Sequence, residues 1–125
     1  MFNSIKTSSE NKQIVSELTS KLALGAENVI ARIALGYSLA KHDKLDLAQI
    51  EDSKGKEYSS KVLFGENQAL YIAMICQKYE IYKENREIPK YLKLHMDLGL
   101  KHIYFDMKDN PNKDGTAILL NYITV

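Results

Sequence analysis

Histidine and cysteine side chains are the first candidates for catalysis or metal binding, and this chain has three histidines and one cysteine. His95 and His102 lie seven residues apart on a predicted helix, where they share a face and could join Asp97 or Cys76 around a metal ion. Histidines that bind one metal from one helix usually lie four residues apart. A spacing of seven separates the rings by about 10 Å along the helix axis. We therefore expect no metal site, and we interpret His95 as a hydrogen-bonding residue at a helix interface and His102 as exposed.

The cysteine is the second candidate for chemistry, as a nucleophile in sulfur transfer. Cys76 lies inside a predicted apolar helix, whereas reactive thiols favour partly exposed, electropositive sites. We interpret it as a core residue. The sequence contains no Walker A loop, no dinucleotide-binding glycine fingerprint and no Gly-x-Ser-x-Gly elbow. We therefore predict that the chain is not an enzyme and needs no cofactor.

Length and charge limit the function classes further. The 125 residues fit one domain, and no apolar run is long enough to span a membrane or to act as a secretory signal. A single cysteine allows no intrachain disulfide, which suits a reducing cytoplasm. Lys and Arg total 17 against 16 acids, whereas DNA-binding domains usually carry a basic excess. Any basic surface must therefore come from segregation of charge on one face or from oligomerisation.

The first forty residues predict a strand, a helix, a tight turn and a second helix. Residues 5–7 form an extended candidate, and the segment from Thr7 to Glu10 fits a capping box at the start of a helix of about four turns. Gly25 breaks the pattern, and a second helix follows from about Ala26 to Ala40. This order matches a ribbon-helix-helix unit, in which two chains pair their strands. Because a lone short strand is unstable, the interpretation implies at least a dimer.

The rest of the chain predicts further helices. Residues 41–63 are polar and rich in turn-forming residues, a third helix is expected from Gly65 to about Lys83, and a fourth from Pro89 to about Ile103. Turn signals at residues 110–115 favour a C-terminal β-hairpin, with an unstructured tail as the alternative. The fold class is therefore mainly α: a ribbon-helix-helix-like N-terminal unit plus two further helices. We place one domain at residues 1–103 and an extension at residues 104–125.

DNA contact is the function that this arrangement favours. Ser4 and Lys6 would share one face of the strand, and the free amides near Ala26, Glu27 and Asn28 could bind a phosphate, although the Glu27 carboxylate would repel it. For any single lysine, a solvated surface role is the alternative. The side chains that we predict as DNA contacts are Lys6, Lys12, Lys21, Arg32, Lys41 and Lys44.

Arg32 differs from the lysines because it interrupts an apolar helix. It must pair with an acid, cap a neighbouring element or face a partner. The tyrosines could stack on the bases of single-stranded DNA. Those that fall on predicted helices more commonly pack between helices, so we interpret them as core or interface residues: Tyr71, Tyr79, Tyr82 and Tyr91.

Three segments carry a resemblance to a known family. The segment from Asn28 to Leu35 (NVIARIAL) resembles the start of the second helix in DndE proteins. The segment Leu63-Phe64-Gly65-Glu66, with the Leu-Tyr-Ile-Ala that follows at 70–73, is similar to the helix start Leu-x-Gly-Glu of that family. The segment from His95 to Leu100 is similar to its His-x-Asp-x-Gly segment. Their order and spacing, over residues 5 to 103, make the resemblance specific.

The resemblance implies a role in bacterial DNA phosphorothioation, in which sulfur replaces a non-bridging phosphate oxygen. It implies a small subunit that is similar to ribbon-helix-helix proteins, forms a tetramer and binds DNA, with a preference for nicked duplex. The expected partners are double-stranded DNA and the other subunits of the system: DndC, DndD and a cysteine desulfurase. The turn from Leu24 to Glu27 departs from the Thr-Gly-x-Thr-Pro pattern of the family. An assembly scaffold with little DNA contact is the alternative function.

Overall fold

The computed structural model describes residues 2–112 and 114–123 and is mainly helical, which confirms the predicted fold class. Within these residues no helix has both the length and the apolar character needed to cross a membrane. The elements in chain order are β1 (Ser4–Lys6), α1 (Ser9–Lys21), α2 (Glu27–Lys41), β2 (Glu57–Ser59), α3 (Ser60–Phe64), α4 (Gln68–Tyr79), α5 (Ile88–Asp109) and α6 (Gly115–Ile123), with 3-10 turns at Leu47–Gln49 and Gly65–Asn67.

The N-terminal unit has the predicted order of strand, helix, turn and helix. The predicted capping box is wrong in detail, because Ser8 is the N-cap of α1 and its side chain accepts a hydrogen bond of 3.2 Å from the amide of Asn11. Glu10 instead forms an ion pair with Lys101 on α5. The helix therefore begins one residue later than the capping box predicts, and the glutamate joins α1 to α5.

The partner of β1 is in the same chain. β1 pairs antiparallel with β2, with Ile5 opposite Tyr58 and Lys6 opposite Glu57. Ile5 and Tyr58 are buried, so the inner face of this small sheet joins the core. The sequence argument for a dimer fails at this point, because β2, in a segment expected to be turns, satisfies the strand without a second chain.

The turn between α1 and α2 depends on left-handed backbone. Ala23 has a φ of 54° and Gly25 a φ of 81°, a region in which glycine is far less strained than other residues. The amide of Leu24 donates to the carbonyl of Thr19 at 3.0 Å, which closes the end of α1. The predicted break at Gly25 is thus confirmed, and a second strained position precedes it.

The centre of the fold is the contact between α2 and α5. A Cβ on Gly99 would lie 2.2 Å from the carbonyl oxygen of Ala34, so only glycine allows the two backbones to approach this closely. Ala31, Ala34 and Leu35 on α2 are fully buried in this core. On α5 the fully buried apolar residues are Leu92, Met96, Leu100 and Ile103.

A buried polar cluster attaches the start of α1 to α5. The carboxylate of Asp97 accepts hydrogen bonds from the Nδ2 of Asn11 at 2.8 Å, from the amide of Ser8 at 3.2 Å and from the Nζ of Lys93 at 2.8 Å. Lys93 also donates to the carbonyl of Lys6 at 2.8 Å. Because a buried charge without partners is costly, these bonds fix β1 and the cap of α1 against α5.

The C-terminal β-hairpin is a wrong prediction. α5 continues past Ile103 to Asp109, and residues Gly115–Ile123 form α6. The turn signals at residues 110–115 are in the right place, but they join two helices. Tyr122 is buried, and its hydroxyl donates to Asp106 at 2.8 Å, which holds α6 on α5. α5 runs through residue 103 without a break. The division of the chain into a domain and an extension at that residue stays a prediction.

Candidate nucleic-acid interface

The outer face of the β1–β2 sheet carries the predicted strand contacts. Lys6 is exposed and Ser4 half-buried on that face, whereas Ile5 points to the core, as the alternation predicts. The Ser4 hydroxyl donates to the Glu57 carboxylate at 2.8 Å, and Lys6 is opposite Glu57 in the register. The face is therefore mixed in charge, and a DNA strand that contacts Lys6 would also approach a carboxylate.

The N-terminus of α2 has unsatisfied amides on an exposed turn. Gly25 and Ala26 are exposed, and the N-cap residue Ala26 makes no side-chain capping bond. The amide of Ala26 donates to the carbonyl of Leu24 at 3.0 Å, so it is not free, contrary to the sequence interpretation. Among the residues described, the amides of Glu27 and Asn28 have no acceptor. They are the donors that this end of the helix offers to an anion.

The Glu27 carboxylate beside these amides is already engaged. It accepts a hydrogen bond of 3.1 Å from the Ser16 hydroxyl and lies 3.5 Å from the Nζ of Lys56. An ion pair that is half-exposed is weak, but it offsets part of the negative charge. The repulsion between Glu27 and a phosphate at this turn is therefore smaller than the sequence alone indicates.

The predicted lysines do not form one cluster. Lys12 and Lys21 are both exposed on α1, and nine residues at 3.6 per turn place them about 180° apart around the helix. Lys41 is exposed in the last turn of α2. Lys44 is exposed and lies 3.9 Å from Glu80, an exposed ion pair that little restrains either side chain. A single flat DNA surface cannot contact both sides of α1 on one protomer.

Arg32 caps another element, one of the three uses that the sequence left open. Its Nε donates to the carbonyl of Leu63 at 2.7 Å and its Nη2 to the carbonyl of Val62 at 2.9 Å, at the end of α3. Asn28 adds a longer bond of 3.5 Å to the same Val62 carbonyl. The side chain is half-buried. Arg32 therefore joins α2 to α3, and a DNA contact by Arg32 stays a prediction.

His95 is a hydrogen-bonded residue at a helix interface, as expected. It is fully buried, its Nδ1 lies 2.8 Å from the Ser38 hydroxyl and its Nε2 2.7 Å from the Tyr79 hydroxyl. The Tyr79 hydroxyl also accepts from the amide of Leu45 at 2.9 Å. Burial, followed by the nearby Lys78, lowers the pKa of His95 to about 4, so the ring is neutral at pH 7. His102 is exposed, which confirms the other half of that interpretation.

The structure shows where the Cys76 thiol lies and whether residues are grouped for metal binding. Cys76 is half-buried and lines an open groove of about 710 Å³ with Ile72, Ala73 and Ile81, so it is at the edge of the core. In the part of the chain that the structure describes, no three side chains of His, Cys, Asp or Glu are grouped so that they could hold a metal ion.

Sequence reasoning missed one exposed loop. α4 ends at Tyr79 and Glu80 is left-handed with a φ of 56°, so Tyr82 lies beyond the helix in which it was expected. Tyr82 is 86% exposed, and it is therefore not a core residue of this chain. Lys83 and Arg86 follow and are exposed, with no carboxylate at ion-pair distance among the described residues. The polar run after Tyr82 was the available signal.

Comparison with known protein families assigns the chain to one of them. A family model described as DNA sulphur modification protein DndE matches residues 4–110. The chain belongs to the DndE family. Its fold matches the crystal structure of DndE from Escherichia coli B7A, described as involved in DNA phosphorothioation modification. That match has a TM-score of 0.65 at 16% identity and covers 81% of this chain and 96% of the other.

A second solved structure gives the same result. It is a DndE mutant with two glycines replaced by lysine, described as involved in DNA phosphorothioation, with a TM-score of 0.67 and 15% identity over 82% of this chain and 97% of the other. At these identities the two structures show a shared fold. A search of curated proteins finds no match.

The segment similar to the DndE motif His-x-Asp-x-Gly has a structural role at each fixed position. His95 bonds Ser38 and Tyr79, Asp97 holds the start of α1, and Gly99 allows the close approach of α2. The segment therefore identifies the fold, and the side chains available to a ligand lie elsewhere.

Proposed function

We propose that this chain is a non-catalytic DNA-binding subunit of the bacterial DNA phosphorothioation system, and that it binds duplex DNA with a preference for nicks. Membership of a DNA sulphur modification family supports the system. The observation that carries DNA contact is the exposed N-terminus of α2, where the amides of Glu27 and Asn28 have no acceptor among the described residues. Donors at the positive end of a helix dipole suit a backbone phosphate.

Exposed cations on α1 and α2 extend this contact. Lys12, Lys21 and Lys41 are exposed and have no carboxylate at ion-pair distance in the described part of the chain. Each could displace a counterion from a phosphate without breaking an ion pair. A net charge of only +1 for the whole chain is compatible with this role, because other cations are occupied within the fold. Lys93 is paired with Asp97, and Lys101 with Glu10.

The proposal includes an assembly in the cytoplasm, with the chain as a homotetramer beside DndC, DndD and the cysteine desulfurase. In support, the fold leaves apolar side chains exposed around α3 and α4, with Val62 at 51% and Leu70 at 58%. Large apolar side chains that remain exposed can form protein contacts. Lys12 and Lys21, on opposite sides of α1, could both serve one DNA if several protomers surround it.

An assembly scaffold with little DNA contact is the second candidate. The near-neutral charge and the same exposed apolar residues favour it. Binding of equal-length nicked duplex, intact duplex and single strand at low salt distinguishes the two. We expect the nicked duplex to bind most tightly, and undetectable binding of all three would leave the scaffold as the function.

Charge variants locate the contact. Lys12→Gln with Lys21→Gln should weaken binding of all duplexes, because the variant removes two cations that would bind phosphates. Lys90→Gln is the matched control, since Lys90 is also exposed to solvent but lies 3.5 Å from Glu87. Equal affinities of the double variant and the control would remove α1 from the interface.

A further inference from the structure

The loop between α4 and α5, Tyr82 to Arg86, contains none of the predicted DNA contacts and has the features of a nucleic-acid site. Tyr82, at 86%, is the most exposed large apolar side chain among the described residues. No other aromatic ring of the described residues packs on it. Its ring is therefore accessible for stacking.

Hydrogen bonds restrain the backbone of the loop. The amide of Asn85 donates to the carbonyl of Tyr82 at 3.0 Å, and the side chain of Asn85 accepts from the amide of Glu87 at 2.8 Å. The amide of Ile81 donates to the carbonyl of Cys76 at 3.1 Å, which sets the direction in which the chain leaves α4. A ring presented on an ordered loop loses little conformational entropy when it binds.

Two cations accompany the ring. Lys83 and Arg86 are exposed, and in the described residues neither lies at ion-pair distance from a carboxylate. Glu84 between them is exposed and opposes them, which leaves the loop with one net positive charge. Lys and Arg beside an exposed aromatic ring are the combination that proteins use to bind phosphates and bases of single strands.

The acids that flank the loop in sequence are paired with cations outside it. Glu80, before the loop, forms an ion pair with Lys44, and Glu87, after it, forms one with Lys90. Each of these two acids has its own cation, whereas Glu66, which lines the groove beside Tyr82, has no ion pair among the described residues.

Two open grooves meet at Lys83. One, of about 580 Å³, is lined by Phe2, Asn85, Arg86 and Pro89. The other, of about 710 Å³, includes Tyr82. Both volumes are in the range of small-ligand sites and exceed that of a nucleobase. An unstacked base on Tyr82 would thus have apolar residues beside it and cations within reach of its flanking phosphates, although the grooves also contain Glu84 and Glu66.

We propose that the Tyr82–Arg86 loop binds the unstacked base and the flanking phosphates of a DNA strand end at a nick. Tyr82 stacks on the base, and Lys83 and Arg86 bind phosphates. Taking a base out of an intact duplex costs free energy, and a strand end at a nick requires less of it. The loop would therefore be a source of discrimination between nicked and intact DNA. This role presupposes the DNA binding proposed above.

Binding of nicked and intact duplexes to the full chain, followed by fluorescence anisotropy, tests the ring. Tyr82→Ala should weaken binding of the nicked duplex about tenfold and leave binding of the intact duplex unchanged. Tyr82→Phe keeps the stacking surface and should match the wild type. Phe105→Ala is the control, because Phe105 is a 55% exposed aromatic residue on α5, away from the loop.

The salt dependence of the same binding tests the cations. Lys83→Gln with Arg86→Gln should reduce the salt slope for the nicked duplex by about two, one for each cation removed from a phosphate. Lys90→Gln should leave the slope unchanged, because Lys90 is occupied by Glu87. An unchanged slope in the double variant would exclude binding of phosphates by Lys83 and Arg86 and overturn this assignment.

The outcomes of these experiments distinguish failure of the loop proposal from failure of the proposed DNA binding by the whole chain. A wild type that binds none of the DNA substrates fails as a DNA-binding subunit, and the role of the loop fails with it. A wild type that prefers the nicked duplex, with the same preference retained in Tyr82→Ala, overturns the role of the loop alone. A Tyr82→Ala variant that binds DNA normally but loses its oligomeric state in light scattering shows that the loop contacts protein, and also overturns it.

Discussion

The interface that α5 forms with α1 and α2 buries polar side chains and satisfies most of them with hydrogen bonds, whereas the polar side chains of the Tyr82–Arg86 loop are exposed and largely unpaired. In the interface, both ring nitrogens of His95 and both carboxylate oxygens of Asp97 have partners. In the loop, Lys83 and Arg86 have no carboxylate at ion-pair distance within the described residues. Groups that are already satisfied stabilise the fold, and groups left available can bind a partner. The comparison predicts which variants change stability and which change binding.

The largest loss of stability is expected at the buried ion pair. Asp97→Ala leaves Lys93 buried without its carboxylate and removes an acceptor from Asn11 and Ser8. We expect the free energy of unfolding in urea to fall by about 3–5 kcal/mol. Glu87→Ala is the control, since it breaks the exposed pair with Lys90 and should cost less than about 1 kcal/mol. Equal losses in the two variants would contradict the difference between the regions.

Acid should weaken the interface through His95. Its pKa in the folded protein, about 4, lies below the value of 6.5 for an unperturbed ring, because burial disfavours the charged form. The neutral ring therefore stabilises the fold fully above about pH 6.5, and this contribution falls as pH drops from 6.5 towards 4. A shift of that size corresponds to about 3 kcal/mol.

Unfolding free energies measured between pH 7 and pH 4 for wild type, His95→Gln and His102→Gln check this expectation. The pH dependence should become shallower in His95→Gln; His102→Gln, which changes an exposed ring on the same helix, serves as the comparison. A curve unchanged by His95→Gln would assign the acid sensitivity to other groups. Burial also lowers the pKa of His42, so part of the slope should remain.

The glycine contact gives a smaller effect. Gly99→Ala places a methyl group against the Ala34 carbonyl and should cost about 1–3 kcal/mol, because the helices must move apart. Gly36→Ala is the matched variant on α2, where nothing lies within 4 Å of the added Cβ. It should stabilise the protein by about 0.5–1 kcal/mol through its higher helix propensity. Thermal unfolding of both variants measures these changes in stability. A Gly99→Ala protein as stable as the wild type would show that the backbones are not in close contact.

The smallest effect on stability is expected in the loop. Lys83→Gln with Arg86→Gln should change the free energy of unfolding by no more than about 0.5 kcal/mol, as for surface substitutions elsewhere. Urea unfolding measures this change in the same protein used for DNA binding. A large loss would mean that the loop supports the fold, and the division between the two regions would then be wrong.

Elements with strong local signals were predictable from the sequence. The order of β1, α1 and α2, the break at Gly25 and the interface role of His95 follow from periodicity, capping and spacing. The family was also predictable, because its motifs occupy packing positions that constrain residue type. The packing of Gly99 on Ala34 is the reason for one of these constraints.

Features that depend on tertiary contacts were not predictable. The pairing of β1 with β2 needs residues more than fifty positions apart, and the short segment Glu57–Ser59 has no strand signal of its own. The apolar run in α6 alternates poorly and is short enough to suit a strand or a helix. Arg32 was flagged, but its carbonyl partners on α3 could not be identified from sequence. Exposure of Tyr82 depends on where α4 ends.

The salt dependence of wild-type affinity for a nicked duplex tests the central claim most directly. The unpaired cations and free amides predict measurable binding at low salt, with an affinity that falls steeply and log-linearly as salt rises, by a slope of about 0.9 for each phosphate contacted. Intact duplex should give weaker binding over the same range. No detectable binding at low salt, or an affinity that does not change with salt, would contradict a DNA-binding role for this chain.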